Sequence, residues 1–217
     1  MTSRPTHTVM DSPVGPLTLV AAGGALCGLY LDGQRHLPAA ETFGQRDDTV
    51  LTDAVGQVEE YFDGQRTQFD VPMAFAGTEF QQLVWDALRT IPYGQTVSYG
   101  LIARQIGTPA ASRAVGLANG RNPISIIVPC HRVVGSAGQL TGYGGVLERK
   151  QFLLDLERGA APTEGVERAL RASASPIRGG AGEDVENDHQ MPGLVDLVED
   201  APLTAEAGGV DASQGLA

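Results

Sequence analysis

The hydrophobic pattern of the chain changes at Gly77, and this change limits the folds open to it. Before Gly77, apolar residues alternate with polar ones over Thr8–Asp32, with glycines and prolines at turn positions, which predicts an antiparallel hairpin or meander. After Gly77, apolar residues recur at helical spacing. A chain that runs through strands first and helices second predicts an α+β fold.

The residues before the change predict a small mixed domain. Val55, Val58 and Phe62 have helical spacing and indicate a helix over Asp53–Tyr61, and Thr67–Phe75 reads as a further strand. We therefore predict an N-terminal α/β scaffold domain over residues 1–76.

The residues after the change predict a helical domain over residues 77–158. Thr78 is a suitable N-cap for a first helix, and a final amphipathic helix is predicted over Leu147–Glu157, with Phe152, Leu153 and Leu156 facing inward. Between them, helices over Ser98–Ile106 and Ala110–Asn119 are joined by a tight turn that contains glycine and proline. Such a pair suggests a DNA-binding helix-turn-helix, although two short helices are also common in protein cores.

A short apolar run lies between these helices and the last one. The β-branched residues of Ile124–Val128 are typical of a buried strand, and Pro129 would end its pairing so that Cys130 sits at its exit. The following stretch Gly135–Gly145 is rich in glycine, which predicts a hairpin or loop able to line a site.

The charge of the chain is uneven. The net charge is −11, but residues 76–158 carry +3 while residues 1–75 carry −6 and residues 159–217 carry −8. The segment Ala87–Leu147 has five arginines and no Asp or Glu, so a polyanion could dock there, or the segment is a buried one with few charges. Residues 159–217 lack hydrophobic periodicity and read as an acidic, disordered tail.

The targeting and cysteine patterns favour a reducing compartment. No apolar run approaches the roughly 20 residues that a membrane helix needs, and the first residues lack a signal-peptide core, so we expect a cytoplasmic protein with no membrane partner. Cys27 and Cys130 cannot form a disulfide framework and lack the spacing of a zinc site, so we expect no metal and a core position for Cys27.

Cys130 is followed directly by His131. A thiol needs a nearby base and positive surroundings to react as the thiolate, and His131, Arg132 and the acid-free segment offer both. A carboxylate should hold the imidazole, and the nearest downstream acids are Glu148, Asp155 and Glu157. The residues alone leave two interpretations open, a nucleophile or a buried structural cysteine.

The helix over Ala110–Asn119 consists largely of small residues with a single long side chain, Arg113. Small side chains allow close approach to another surface, so Arg113 could reach into a DNA duplex. The same composition also suits a tight helix-to-helix contact with a solvated arginine.

The string IVPCHRVV, preceded by SRAVGLANGRNP and followed by GYGG, resembles the O6-alkylguanine-DNA alkyltransferases, the methylated-DNA–protein-cysteine methyltransferases. The resemblance extends from about Asp11 to Glu157. It implies a ribonuclease-H-like N-terminal sheet followed by a winged helix-turn-helix domain that carries the active site. It also implies a monomeric DNA-repair protein that transfers methyl or larger alkyl groups from O6 of guanine, and also from O4 of thymine, to its own cysteine in one turnover.

The resemblance assigns a chemical role to several residues. Cys130 would accept the alkyl group, His131 would act as its base, and Glu157 would orient His131. Tyr99 would rotate the nucleotide out of the duplex and serve guanine N3, and Lys150 would help Tyr99 pass its proton.

A second group of residues would bind DNA or shape the pocket. Arg113 would fill the gap left by the rotated guanine, and Tyr99, Ala114, Asn119 and Gly120 would also contact DNA from the minor groove. The pocket and its support are implied for Tyr143, Gly144, Val133 and Asn122, with Asn122 fixing the turn that carries Cys130.

The implied reaction uses no cofactor and no obligate protein partner, and its partner is double-stranded DNA carrying O6-alkylguanine. Cooperative self-association on DNA and the alkyl group preferred are left open by the sequence. Three competing functions are a lesion binder without transfer, a Cys-His-Glu hydrolase that needs an oxyanion hole, and a DNA-binding regulator.

Overall fold

A computed structural model describes residues 4–141 and 147–173. Its first part is a four-stranded sheet with strand order β3-β2-β1-β4, formed by β1 (Thr6–Met10), β2 (Leu17–Ala22), β3 (Ala25–Leu31) and β4 (Gln45–Arg46). β1, β2 and β3 pair antiparallel, as the alternating pattern predicts, and β4 joins parallel to β1 after a 3₁₀ turn at Ala40–Phe43. The alternation places Leu17, Leu19 and Leu29 in the core.

Helix α1 (Thr52–Phe62) confirms the predicted helix and buries one face, with Ala54, Val58 and Tyr61, in the main core. The predicted strand over Thr67–Phe75 is wrong. This segment makes only a single bridge, between Met73 and Leu26, with the Pro72 carbonyl accepting from Leu26 N–H at 2.8 Å. Pro72 itself has no N–H to continue a ladder, so the apolar residues pack without forming a strand.

Three helices follow as predicted. α2 (Glu79–Arg89) begins at Thr78, whose hydroxyl and the Gln81 side chain form a reciprocal capping box. α3 (Tyr99–Gln105) is capped by the Ser98 side chain, and α4 (Ser112–Gly120) follows after a turn at Gly107. The α2 and α4 helices are also joined by the Trp85 indole, which donates to the Ala118 carbonyl at 2.9 Å.

The predicted buried strand over Ile124–Val128 is also wrong, although the whole segment is buried. Ile124 makes one bridge to Leu29, and the chain then turns, with Ile126 at a φ of 71°. The Asn122 side chain closes this turn, donating to Val128 O at 2.7 Å and accepting from Ile124 N–H at 3.0 Å. A local side-chain bond of this kind competes with strand pairing, and a sequence pattern of apolar residues does not reveal it.

After the turn, Cys130–Arg132 form a short 3₁₀ helix rather than the exit of a strand. The chain continues into β6 (Val133–Val134), which pairs parallel with β5 (Val97–Ser98) just before α3. This two-stranded pairing places the cysteine segment beside the start of the helix pair. The chain then reverses at Gly135–Gln139, where Gly135 N–H donates to Gln139 O at 2.9 Å.

Helix α5 (Leu147–Glu157) has the predicted bounds but not the predicted simple amphipathic character. Leu153 is fully buried, while Phe152 and Leu156 are only half-buried, and the helix buries Lys150 and Glu157 as well. Lys150 and Glu157 belong to the candidate active site. The apolar spacing of the helix predicts only which apolar residues face inward, so it did not reveal these buried charges.

The prediction of disorder from residue 159 onward is wrong for its first part. Helix α6 (Glu164–Ser173) packs against α5 and buries Val166 and Leu170, which are four residues apart and therefore lie on one helix face. Two apolar residues on one face sufficed to dock the helix, although the segment is too polar to show clear periodicity. The rest of the predicted tail lies outside the described residues.

The main hydrophobic core joins the sheet, α1 and the helical part in one cluster, including Leu29, Tyr61, Trp85, Ile124 and Leu153. The sheet strand β3 contacts the turn before Cys130 directly, since Ser125 N–H donates to Leu29 O at 3.0 Å. The scaffold therefore supports the segment that carries the cysteine. Within the described ranges, no helix has the length and apolar character needed to cross a membrane.

Candidate active site

Cys130 and His131 occupy the buried 3₁₀ turn between the Asn122 turn and β6. Cys130 is 5% exposed and His131 is fully buried. The turn is short because Cys130 N–H donates back to Val128 O at 2.8 Å and Arg132 N–H donates to Pro129 O at 3.0 Å. Both neighbouring side chains therefore lie buried in one turn rather than on the two faces of a strand.

The Glu157 carboxylate at the end of α5 gathers five donors. Its Oε1 atom faces His131 Nε2 at 2.7 Å, Arg132 Nη2 at 2.8 Å and the Tyr61 hydroxyl at 2.9 Å. Its Oε2 atom accepts from Arg132 Nε at 2.8 Å and from Gly94 N–H at 3.1 Å. Of the three downstream acids that the sequence offered, Glu157 is the one placed against the imidazole.

This arrangement fixes the charge of Glu157. Burial raises the pKa of the carboxyl, but the hydrogen bonds and positive charges of His131 and Arg132 outweigh burial and lower the pKa to about 2. Burial lowers the pKa of His131, against the opposing effect of Glu157. A neutral His131 donates Nε2–H to the carboxylate, so Nδ1 carries the lone pair and is the ring nitrogen able to accept a proton.

A tight turn over Pro92–Gly94 brings backbone to the same carboxylate. Gly94 has a φ of 73°, and a Cβ at this position would lie 2.9 Å from Glu157 O. Only glycine combines this φ with so close an approach without strain. The turn therefore delivers both the Gly94 N–H and the Ile91 carbonyl, which accepts from Arg132 Nη1 at 2.6 Å.

The electrostatics of Cys130 differ from the sequence expectation. Burial raises the pKa of the thiol, while Asn122 and the charge of Lys150 lower it, and burial is the larger effect. Arg132, which was expected to favour the thiolate, is instead bound to Glu157. The resting cysteine is therefore a thiol, which needs a base when it reacts.

Two asparagines surround the cysteine turn. Asn122 has the predicted position, bridging Ile124 N–H and Val128 O in front of Cys130. Asn119, predicted to contact DNA, does not lie on the exposed face of α4: its side chain is only 4% exposed, and its Nδ2 atom donates to Cys130 O at 3.4 Å. Asn119 stands at the last turn of α4, where the helix faces the core.

Lys150 and Tyr99 meet at one carbonyl rather than directly. Thr141 O accepts from Lys150 Nζ at 2.9 Å and from the Tyr99 hydroxyl at 3.1 Å, and Lys150 Nζ also donates to Val133 O at 2.5 Å. Burial lowers the pKa of Lys150 to about 8, with the nearby Cys130 opposing this shift. Burial also raises the pKa of Tyr99. Val133, a predicted pocket residue, is fully buried and offers only its carbonyl.

The exposed face of α4 carries Arg113, Ala114 and Gly120, three of the residues predicted to contact DNA. The opposite face packs into the core through Val115 and Ala118. The packing interpretation of the small-residue helix therefore holds for one face, and the other face is exposed, as the DNA-contact interpretation requires. Arg104 and Arg121 are exposed as well, on α3 and directly after α4.

The structure gives little information on the remaining residues that the sequence analysis named. Tyr143 and Gly144 lie outside the described residues. Cys27 is half-buried rather than fully in the core, and its thiol donates to Val20 O at 3.4 Å. In the part of the chain that the structure describes, no three His, Cys, Asp or Glu side chains cluster in a way that could hold a metal ion.

A buried cysteine next to a histidine–carboxylate pair, in a turn beside a helix pair with an exposed arginine-bearing face, is typical of a cysteine-dependent transfer protein built on a DNA-binding fold. Comparison with known proteins gives the family. The family model of the 6-O-methylguanine DNA methyltransferase ribonuclease-like domain matches residues 6–75. The family model of the 6-O-methylguanine DNA methyltransferase DNA binding domain matches residues 79–159. The chain belongs to the 6-O-methylguanine DNA methyltransferase family.

Relatives and solved structures agree with this. A methylated-DNA–protein-cysteine methyltransferase of Mycobacterium tuberculosis is 54% identical over 73% of this chain and 95% of its own length. A methyltransferase of the same name from Methanosarcina acetivorans is 47% identical over 70% of this chain and 97% of its own length. The crystal structure of M. tuberculosis OGT in complex with DNA has a TM-score of 0.69 at 52% identity, covering 75% of this chain and 99% of that one. The predicted α+β fold, with a ribonuclease-like sheet before a DNA-binding helical domain, is confirmed.

Sequence reasoning missed two groups in the site, Tyr61 and Gly94. Tyr61 lies 96 positions before Glu157 and reads as an ordinary core residue of α1. Gly94 reads as a helix stop. The PYG turn before the helix pair was a detectable signal for Gly94, whereas only the packing of α1 against α5 reveals Tyr61.

Proposed function

We propose that this protein repairs DNA by moving an alkyl group from O6 of guanine to Cys130 in a single, irreversible step. The observation that carries the proposal is the buried Cys130–His131 turn with Glu157 at 2.7 Å from the imidazole, in a chain of the methyltransferase family. The protein acts as a methylated-DNA–protein-cysteine methyltransferase, once per molecule, because a thioether has no easy route to hydrolysis.

The proposed step balances as a displacement at carbon. The Cys130 sulfur forms a bond to the alkyl carbon while the bond between that carbon and O6 breaks, and the electron pair returns to the guanine ring. The thiol proton leaves through His131, and a proton is delivered to the base, so that neutral guanine is restored. No oxidant, reductant or cofactor is consumed.

His131 is the proposed base. Because burial raises the pKa of the Cys130 thiol, the proton has to be removed as the bond forms, and His131 Nδ1 accepts it directly or through a water. Glu157 holds Nε2–H and stabilises the imidazolium that results. Asn122 sets the turn from which the sulfur attacks.

Tyr99 and Lys150 are proposed to serve the leaving guanine. Tyr99 donates toward guanine N3, and Lys150 helps to return its proton. Their shared contact with Thr141 O supports a coupling through that carbonyl rather than by a direct bond. The Lys150 pKa of about 8 makes proton release feasible near neutral pH.

DNA is proposed to bind along the exposed face of α4, in the minor groove. Arg113 would enter the stack after the damaged nucleotide rotates out, with Tyr99, Ala114 and Gly120 beside it. The exposed Arg104, Arg113 and Arg121 in an acid-free segment support this surface, since phosphates attract arginine. The pocket residues Tyr143 and Gly144 are part of the proposal, and we place the reaction in the cytoplasm, where a thiol stays reduced.

Intact-mass measurement tests the proposal. Full-length protein is mixed with a duplex carrying one O6-methylguanine, and the protein should gain one CH₂ unit, with no further gain on adding more DNA. Cys130→Ser should stay at its original mass while still binding the duplex. The unmodified duplex is the control for adventitious alkylation.

The alternatives give different results. A lesion binder or a regulator leaves the mass of the wild-type protein unchanged, and a hydrolase releases methanol repeatedly without keeping the methyl group. An unchanged wild-type mass with complete binding would refute transfer to Cys130. The DNA arrangement is tested separately with Arg113→Ala, which should slow repair in a duplex far more than reaction with free O6-benzylguanine; equal losses on both would refute the finger role.

A further inference from the structure

One large apolar side chain, Leu117, lies exposed on α4. It is 70% exposed, whereas the other exposed large apolar residues that the structure describes range from 40% to 49%, namely Leu37, Leu83, Leu101 and Leu147. A single exposed leucine is common on protein surfaces and needs no explanation by itself. The position of Leu117 on this helix is what suggests a use.

Leu117 shares a helix face with Arg113. With 3.6 residues per turn, positions four apart lie about 40° apart around the axis, and Gly120 lies about 20° to the other side of Arg113. Arg113, Ala114, Leu117 and Gly120 are exposed, whereas Val115 is fully buried. Because glycine and alanine project little, Arg113 and Leu117 are the two side chains that protrude from this face of α4.

A protruding leucine can act as a wedge when its helix enters a minor groove. Minor-groove proteins insert leucine and similar side chains at base steps, partly unstack them and bend the duplex. Arg113 and Leu117 are about 6 Å apart along the helix axis, less than two base-pair steps of about 3.4 Å. We propose that Leu117 is an apolar wedge that presses into the minor groove beside the lesion and helps Arg113 to hold open the step from which the guanine rotates.

This inference rests on the proposed DNA surface and adds a second protruding residue to it. The sugars and base edges of an opened step would remove the Leu117 side chain from water, which favours the opened duplex. That gain offsets part of the cost of rotating a nucleotide out of the stack. A lysine or arginine at this position would bind phosphate, so a leucine here favours contact with the floor of the groove rather than with the backbone.

The test follows conversion of O6-methylguanine to guanine in a duplex with one lesion, with protein in excess and at several protein concentrations. Leu117→Ala removes the wedge and keeps the helix, because alanine favours helix and the position is exposed. The rate at saturating protein should fall roughly tenfold. The rate of benzyl transfer from free O6-benzylguanine to Cys130 should stay as in the wild type, which also shows that the variant is folded.

Two further variants control for the change itself. Leu83→Ala, the same substitution at an exposed leucine of α2, should keep the wild-type rate on both substrates. Leu117→Met keeps a large apolar side chain and should retain most of the duplex rate. A loss in Leu117→Met as large as in Leu117→Ala would overturn the inference.

A second duplex separates a wedge from an ordinary contact. Rotating a lesion out costs less when it has no partner base, so a wedge matters less for O6-methylguanine placed opposite an abasic site. Leu117→Ala should therefore lose less than about threefold on this duplex. An equal loss on both duplexes would overturn the wedge.

The remaining outcomes are also decisive. A higher half-saturating protein concentration with an unchanged saturating rate would mean that Leu117 only contacts the groove, and would overturn the wedge. If Leu117 instead packs on a second copy of the chain, Leu117→Ala changes sedimentation of the DNA-free protein and leaves the duplex rate unchanged, which also overturns it. Absence of any transfer by the wild type would refute the proposed function itself.

Discussion

Glu157 shows how a single side chain can combine structural and chemical roles. Its two oxygens receive His131, Arg132, Tyr61 and the Gly94 backbone, so one carboxylate neutralises a buried guanidinium and orients the imidazole. A buried charge without a partner is strongly unfavourable, so the stability of this part of the protein depends on the same carboxylate that holds His131, the proposed base.

Replacing Glu157 by glutamine should therefore impair both stability and reaction. Glu157→Gln keeps the size but leaves Arg132 without its counter-charge, and we expect a loss of about 3–5 kcal/mol in the free energy of unfolding. The alkylation rate should fall roughly 100-fold, because the imidazolium loses its stabilising charge. Urea unfolding and the rate of benzyl transfer measure the two effects, with exposed Glu148→Gln on the same helix as the matched control.

The pH dependence of stability gives the same residue a second test. The folded pKa of Glu157, about 2, lies below its ordinary value of 4.5, so its contribution to stability is complete above pH 4.5 and disappears as the pH falls toward 2. The stability difference between wild type and Glu157→Gln should shrink over that interval. If the difference in unfolding free energy between the two proteins stays constant from pH 5 down to pH 2, the ionisation assigned to Glu157 is contradicted.

Lys150 can be observed alone, because it is the only lysine in the chain. Protein labelled with ¹³C at lysine Cε gives one lysine signal in NMR, and we expect it to titrate with a midpoint of about 8 in the folded protein. In urea the same signal should titrate near the ordinary value of 10.5, since burial lowers the pKa only in the folded state. A folded midpoint at the ordinary value would exclude Lys150 from proton transfer near neutral pH.

At the scale of elements, helix α5 connects the site to a helix that lies beyond the family match. α5 carries Lys150 and Glu157, and α6 packs on it through Val166 and Leu170, while the matched region ends at residue 159. The position of α5 therefore depends in part on residues that lie beyond the family match.

Leu170→Ala tests this support. Removing a buried leucine side chain should lower the free energy of unfolding by about 2 kcal/mol, at the low end of the usual range because the residue keeps 8% exposure in a terminal helix. Arg168→Ala, at an exposed position of the same helix, is the control and should change stability by less than about 0.5 kcal/mol. Equal effects of both changes, measured by urea unfolding, would show that α6 gives α5 no support.

The elements also show what a sequence can reveal. The bounds of α1, α2, α3 and α5 follow closely from apolar spacing and capping residues, because these signals are local. The two predicted strands that are wrong, Thr67–Phe75 and Ile124–Val128, are buried apolar segments whose form depends on Pro72 and Asn122. Burial alone does not distinguish a strand from a packed turn.

The residues of the site also differ in how far the sequence reveals them. Cys130 and His131 are adjacent in the sequence and could be recognised together, and the resemblance supplied Glu157. The donors that hydrogen-bond to the Glu157 carboxylate come from α1, the Gly94 turn and the cysteine segment. Only the packed fold brings these donors together. The Asn119 side chain could not be placed from the sequence, because its helix has one exposed and one core-facing side and Asn119 lies on the second.

The ribonuclease-like and helical parts share one core, and the described residues group as one compact unit. The Tyr61 hydroxyl, from α1 in the first part, donates to Glu157 at the end of the second. The N-terminal part is therefore more than a scaffold, since it supplies a donor to the carboxylate that holds His131. Two matched family regions need not mean two independently stable domains.

This shared core predicts one cooperative unfolding transition. Fluorescence of Trp85, the only tryptophan, reports on the helical part, and far-UV circular dichroism reports on the whole chain, so both should give the same urea midpoint. Tyr61→Phe should lower both midpoints together. The free energy of unfolding should fall by about 1.5–3 kcal/mol, because the change removes a buried hydrogen bond to a charged group. Tyr30→Phe in the sheet is the matched control, since Tyr30 packs on Phe43 away from Glu157. An early loss of circular dichroism at constant Trp85 fluorescence would mean that the sheet unfolds alone, and that Tyr61 does not couple the two parts.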